Sequence, residues 1–208
     1  MEELDAIAWQ NANHDDLWIF DKLIVARKLG YICGPQGMNV PKPDFYIVRP
    51  CVNIPGMSRG AKTRYIMKRT HHLPSGHFWC EIFKGRHISV DYKHGEQILA
   101  VEGFRESSKG HFWQFCKWQR LNEEFPLPEL LKDVASRYEY LNIEYVDGKV
   151  IEIHLRHNPD FVYGQTVAYP VWKKIHPSEI YPEVDFSKLH FIKSPDYKRL
   201  GFYIDLPS

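Results

Sequence analysis

The sequence predicts a mixed α+β protein whose sheets are mainly antiparallel. Asp147-Gly148 stands between two alternating, β-branched runs, and this pair suits a two-residue hairpin turn because both turn positions adopt positive φ. Short turn signals at Lys84-Gly85 and Lys93-His94-Gly95 separate three further apolar runs, the pattern of an antiparallel meander. Only two longer stretches, near residues 15–29 and 127–140, are read as helices from apolar residues at helical spacing.

In chain order, Asp15 or Asp16 is placed to cap a helix running to Leu29, with Phe20, Leu23, Ile24 and Leu29 as its apolar stripe and Gly30 as its stop. Gly34-Pro35-Gln36-Gly37 reads as a loop, and Pro41-Lys42-Pro43 cannot be helical. Residues 45–49 read as a buried strand, ended by Arg49-Pro50 because proline lacks the ladder donor. A loop over 51–61 follows, then strands near 78–83, 86–92 and 97–104. Phe112, Phe115 and Trp118 are read as core residues at helical spacing, with stacking on nucleic-acid bases as the other reading of that aromatic and basic stretch. The helix over 127–140 has Pro128 in its first turn and Leu130, Leu131, Val134, Ala135 and Tyr138 on one stripe. The hairpin over 142–156 comes next, and the rest is rich in Pro and Tyr with short extended pieces.

At 208 residues the chain is one large domain or two small lobes, and 44% hydrophobic with 25% charged residues is ordinary for a folded protein. A net charge of +1 gives no electrostatic case for a general nucleic-acid or membrane partner. No segment reaches the ~20 apolar residues that span a bilayer, and the acidic start at Glu2, Glu3 and Asp5 is unlike a signal peptide, so a cytoplasmic protein is expected. Cys33, Cys51, Cys80 and Cys116 lack Cys-x-x-Cys spacing, which points to reduced thiols. His71, His72 and His77 have no regular ligand spacing for zinc. Lys62, Arg64, Lys68 and Arg69 form a local basic run, read as a solvated strand or as a collar for a polyanion.

Three segments carry candidate chemistry. In the second hairpin strand a period of two puts Val150, Glu152, His154 and Arg156 on one face and Ile151, Ile153 and Leu155 on the other. Such a face can hold a metal and a phosphoryl group, and it is equally what a half-buried surface hairpin displays. The loop after Arg49 contains Gly56, Ser58, Arg59 and Gly60, whose small residues let backbone N–H groups approach a polyphosphate, though it lacks the Gly-Lys-Ser/Thr of a Walker loop. Glu81 lies in an otherwise aromatic and aliphatic run and needs donors, either from a ligand or from a partner such as Arg86 or His87.

Taken in order, these segments resemble the ATP-grasp family over about residues 40–160. Val48-Arg49-Pro50 leading to Gly56-Met57-Ser58-Arg59-Gly60-Ala61 is similar to its phosphate strand and flexible glycine-rich loop, Cys80 to Asp91 to its adenosine hinge, and Glu144 with Glu152-Ile153-His154-Leu155-Arg156 to its metal and phosphate strands. The resemblance implies two small α+β lobes with mainly antiparallel sheets clasping a nucleotide cleft. Residues 1–40 would form an N-terminal helix and loops, 41–95 the phosphate-loop and hinge lobe, 96–160 the metal-binding lobe, and 161–208 an extension packed on the same domain. It implies ATP held by Arg49, Gly56, Ser58, Arg59, Gly60, Glu81, Ile82 and Phe83, and Mg2+ or Mn2+ on Glu152, Glu144, His154 and Asn158. Arg156 and Arg59 would act on the transferred phosphoryl group, in an ATP-dependent ligase joining a carboxylate to an amine, or in a catalytically weakened nucleotide- or partner-binding relative. His154 departs from the family's asparagine, and imidazole suits softer metals. Asn158 could supply an oxygen if the chain turns back after Arg156. A strict two-residue turn would pair Glu144 with Ile151 and set Glu144 opposite Glu152, so a shared metal requires a bulge. The chain is short for the family and resembles small proteins of this kind encoded by tailed phages.

Overall fold

The computed structural model describes residues 4–52, 60–106, 114–196 and 198–206. Helix α1 (Leu4–Asn11) is followed by a 3-10 turn at His14–Phe20 and by helix α2 (Lys22–Lys28). A four-stranded sheet of order β1-β4-β2-β3 contains β1 (Cys33–Pro35), β2 (Asp44–Pro50), β3 (Lys62–Ile66) and β4 (His77–Cys80), and all its pairings are antiparallel. An eight-stranded antiparallel sheet holds β5 (His87–Lys93), β6 (Glu96–Phe104), β7 (Lys117–Arg120), β8 (Tyr140–Val146), β9 (Lys149–His154), β10 (Val167–Trp172), β11 (His190–Asp196) and β12 (Arg199–Ile204). Its order is β11-β12-β10-β7-β6-β5-β8-β9, so the Pro/Tyr-rich end supplies three strands at one side and β9 forms the opposite edge. Helix α3 (Lys132–Arg137) lies between β7 and β8. No helix among the described residues is long and apolar enough to cross a membrane.

Several local expectations change. The first predicted helix is shorter because Asp21 caps it, its carboxylate accepting from the N–H groups of Leu23 and Ile24 at 2.9 and 3.1 Å. Asp16 instead turns inward and takes Arg137 at 2.6 and 3.0 Å and the Tyr138 hydroxyl at 3.0 Å. The apolar face shifts with it, so that Val25 and Ala26 are buried while Ile24 is exposed. The predicted helix over 127–140 shrinks to a 3-10 turn at Glu129–Leu131 followed by α3, which still buries Leu131, Val134 and Ala135. Strand β2 is half-buried, with Tyr46 and Val48 inside and Phe45 exposed. The meander does not include β4: the chain changes sheet at Lys84-Gly85, where Gly85 takes φ +150°, and only β5, β6 and β7 run consecutively. The stretch around Trp118 is strand rather than helix, and Phe112 falls outside the described residues.

The main core lies on one face of the large sheet, where Ile88, Val90, Tyr92, Leu141, Ile143, Tyr145, Val150 and Ile153 meet the apolar residues of α3 and of the 3-10 and α2 segments. The opposite face of the same strands carries His87, Ser89, Asp91, Asn142, Glu144, Glu152 and His154, all buried except the partly exposed Glu144. A smaller core of Val40, Tyr46, Val48, Ile66, Leu73 and Trp79 supports the four-stranded sheet.

Candidate functional site

The hairpin turn forms as its sequence requires, with Asp147 at φ 53° and Gly148 at φ 70°. Beyond it the register runs Val146↔Lys149, Tyr145↔Val150, Glu144↔Glu152, leaving Ile151 as an unpaired extra residue. This bulge corrects the expected alternation: Val150 joins the core, and Ile151 turns to the polar side. It also brings Glu144 and Glu152 directly opposite each other on one face, together with His154.

A cleft of about 270 Å³ opens between the two sheets. The small sheet contributes Ile47, Arg49 and Cys80, the connecting segment contributes Glu81, Ile82, Phe83, Lys84 and Gly85, the large sheet contributes His87, Val146 and Ile151, and Arg105 enters from just beyond β6. Arg49 bridges the walls, donating from Nη2 to the Ile151 carbonyl at 3.1 Å with its guanidinium 5.3 Å from the Phe78 ring. Its Nε is buried without a hydrogen-bond partner, a donor whose desolvation is uncompensated until an acceptor enters. Glu81 follows β4 instead of lying in it; its carboxylate accepts the Ile32 N–H at 2.8 Å, and its own N–H donates to the Ile32 carbonyl at 2.9 Å. Neither Arg86 nor His87 is its partner, since Arg86 pairs with Glu102 and Glu123. Arg105 stacks 4.1 Å over Phe115 and donates to His87 Nδ1 at 3.1 Å. An arginine only donates, so His87 carries its proton on Nε2, directed at Glu144 Oε2 3.1 Å away.

Glu144 therefore links the cleft to a second, deeper cluster. Lys22 Nζ lies 2.8 Å from Glu152 Oε1, and both side chains are under a tenth exposed. His154 Nδ1 donates to Asp5 Oδ1 at 2.9 Å, while its Nε2 stands 3.8 Å from Glu152 and 3.9 Å from Glu144. Arg156 takes Asp5 in a fork, with Nε to Oδ1 at 2.8 Å and Nη2 to Oδ2 at 2.9 Å. Burial alone would raise the Asp5 pKa; the charges and hydrogen bonds of His154 and Arg156 outweigh it and hold the carboxyl well below its ordinary range. Glu144 is likewise pushed up by desolvation and pulled down further by the His87 hydrogen bond, ending at about 2.

The structure thus brings Arg49, Glu81, Ile82 and Phe83 to one cleft and Glu144, Glu152, His154 and Arg156 to one network. Asn158 is engaged elsewhere: its backbone N–H donates to both Asp91 oxygens and its Oδ1 accepts the Asp160 N–H at 3.0 Å, so its side chain closes its own turn. Gly60 takes φ +83° and packs against Pro50, beside cleft residue Ala61. Gly56, Ser58 and Arg59 lie outside the described residues. Sequence reasoning missed Asp5, Lys22, His87 and Arg105. Only His87 had a legible signal, sharing the period-two face of β5 with Ser89 and Asp91.

Magnesium does not fit the expected ligands as they stand. Mg2+ requires oxygens at about 2.1 Å in octahedral array, yet an ammonium already occupies Glu152. Among the described residues no group of three or more His, Cys, Asp or Glu is arranged to hold a metal ion, and His71, His72 and His77 make no exception.

No protein-family model matches the sequence, and no curated protein matches it either. Solved structures do resemble it. N5-carboxyaminoimidazole synthetase from Staphylococcus aureus complexed with ADP is 11% identical over 92% of this chain and 68% of that chain, with a TM-score of 0.52. The corresponding synthase from Aspergillus clavatus is 8% identical over 91% and 68%, with a TM-score of 0.51. A protein assigned to the ATP-grasp superfamily from Archaeoglobus fulgidus is 16% identical over 91% of this chain, with a TM-score of 0.47. The chain spans 65% of the length of that protein, just under two thirds. At these identities the likeness concerns the backbone alone: on the two structures with TM-scores above 0.5 the chain shares their fold, ATP-grasp-like and α+β with antiparallel sheets.

Proposed function

We propose that the cleft binds ATP and that the chain is an ATP-dependent ligase, activating a carboxylate for attack by an amine in the cytoplasm. The observation that carries this reading is the buried, unpartnered Nε of Arg49 in a cleft walled by both sheets. Glu81, Ile82 and Phe83 would hold the nucleoside, with the Glu81 carboxylate preset by Ile32. Arg49 and Arg105 would neutralise the phosphates, and Gly56, Ser58, Arg59 and Gly60 would cover them and exclude water. A substrate carboxylate oxygen attacks the γ-phosphorus while the bond to ADP breaks. The amine nitrogen then attacks the acyl phosphate carbon, phosphate leaves, and the amine gives up a proton to solvent. No covalent enzyme nucleophile is required, and no step is routed through a divalent metal.

The fork between Asp5 and Arg156 favours a second reading, a nucleotide-binding module without turnover, because it occupies the cation that would meet the transferred phosphoryl group. The test is ATP binding by calorimetry, followed by ADP release with pooled carboxylates and amines. Binding with ADP release supports the ligase, and binding without it supports the module. An absence of ATP binding refutes both.

A further inference from the structure

The deep cluster contains three carboxylates, Asp5, Glu144 and Glu152, where the resemblance implies a divalent cation. All three are already engaged from within the chain, two by cations and the third by a hydrogen bond. Arg156 forks Asp5, His87 donates to Glu144, and Lys22 meets Glu152 at 2.8 Å with side chains 8% and 6% exposed. The ammonium is also held from its backbone. Lys22 opens α2 directly after the capping Asp21, its N–H donates to the Cys51 carbonyl at 2.8 Å, and Asp21 bridges Val52. The lysine is thus pinned to the chain just beyond the end of β2. A metal ion would have to expel this buried ammonium and shed its own water, against a pairing already desolvated.

We propose that Lys22 is the resident cation of this cluster, so that the chain excludes a divalent metal there and takes its nucleotide without one. The nucleotide half rests on the reading of the cleft given above, whereas the metal half does not. An ammonium is a compact point charge and can neutralise one carboxylate as an ion would. His154 Nε2, 3.8 to 3.9 Å from Glu144 and Glu152, marks the space that a metal would enter once the lysine is removed; Asp5 on Nδ1 already orients the ring as a carboxylate behind a metal-bound histidine does.

The full chain is titrated with Mn2+ alone, and free Mn2+ is followed by electron paramagnetic resonance. The wild type is expected to bind none at this cluster, Lys22→Met to gain one site, and Lys22→Met with Glu152→Gln to lose it. A wild-type Mn2+ site that disappears in Glu152→Gln overturns the proposal, as does a folded Lys22→Met protein that binds no Mn2+. Circular dichroism reports whether Lys22→Met folds; if it does not, the wild-type titration and the nucleotide measurement decide. For that measurement, ATP affinity of the wild type is expected to be equal in EDTA and in magnesium. A gain of about tenfold or more with magnesium, worth about 1.4 kcal/mol, overturns it. Should ATP bind in neither condition, the cleft reading fails, while the Mn2+ titration still decides the role of Lys22.

Discussion

Asp5 is the only buried residue of α1, and it faces Arg156 and His154. Replacing it by alanine leaves an arginine side chain only 19% exposed and a histidine only 8% exposed without their acceptor. Removing one partner of a buried pair costs about 3–5 kcal/mol. For a chain of this length each kcal/mol moves Tm by about 2–4 °C, so Asp5→Ala should melt roughly 6–20 °C below the wild type at neutral pH. Calorimetric melting of Asp5→Ala, Arg156→Ala and the double variant should give a coupling energy of about 1–3 kcal/mol. The sign with pH follows from the lowered Asp5 pKa. The unfolded carboxyl titrates near ~4, so the stabilisation is complete above that value and fades as pH falls through it toward the lower native value. The gap between wild type and Asp5→Ala should therefore narrow in acid. Equal melting temperatures at neutral pH, or additive losses in the double variant, would refute the picture of a helix held by its charge.

Arg49→Ala should weaken ATP binding by about 10- to 100-fold, the worth of hydrogen bonds to a charged group, with Arg49→Lys intermediate because it keeps the charge and loses the fork; calorimetry reads both. A Cβ at Gly103 would stand 2.6 Å from two Phe115 ring atoms and 2.8 Å from Trp118. Gly103→Ala should therefore displace the ring under Arg105, cost about 1–3 kcal/mol by denaturant titration, and lower ATP affinity with it. Glu144 is held at about 2, below its unfolded value, so its contribution is present above ordinary glutamate titration and lost as pH falls toward 2. Glu144→Gln should flatten the dependence of Tm on pH across that acid window, measured by thermal circular dichroism.

Arg49, Glu81, Ile82, Phe83, Glu144, Glu152, His154 and Arg156 were legible as site candidates because strand alternation and turn chemistry are local rules. Their grouping was not. The bulge at Ile151 decides whether Glu144 and Glu152 share a face, and an extra residue in a strand leaves no mark in a two-residue period. The helix boundaries failed for a related reason: Asp15, Asp16 and Asp21 are all competent caps, and the choice depends on Arg137 and Tyr138, more than a hundred residues away.

By itself the sequence determined the fold class, the Asp147-Gly148 turn and the arginine near the end of β2, since each follows from backbone sterics or from the chemistry of neighbouring residues. Only the tertiary structure decided that β4 and β5 part into different sheets, that Arg105 and His87 complete the cleft, and that Lys22 and Asp5 answer the charges of Glu152 and Arg156. Pairing between charges separated by more than a hundred positions is set by which elements pack together, and that is a property of the folded chain rather than of any local segment.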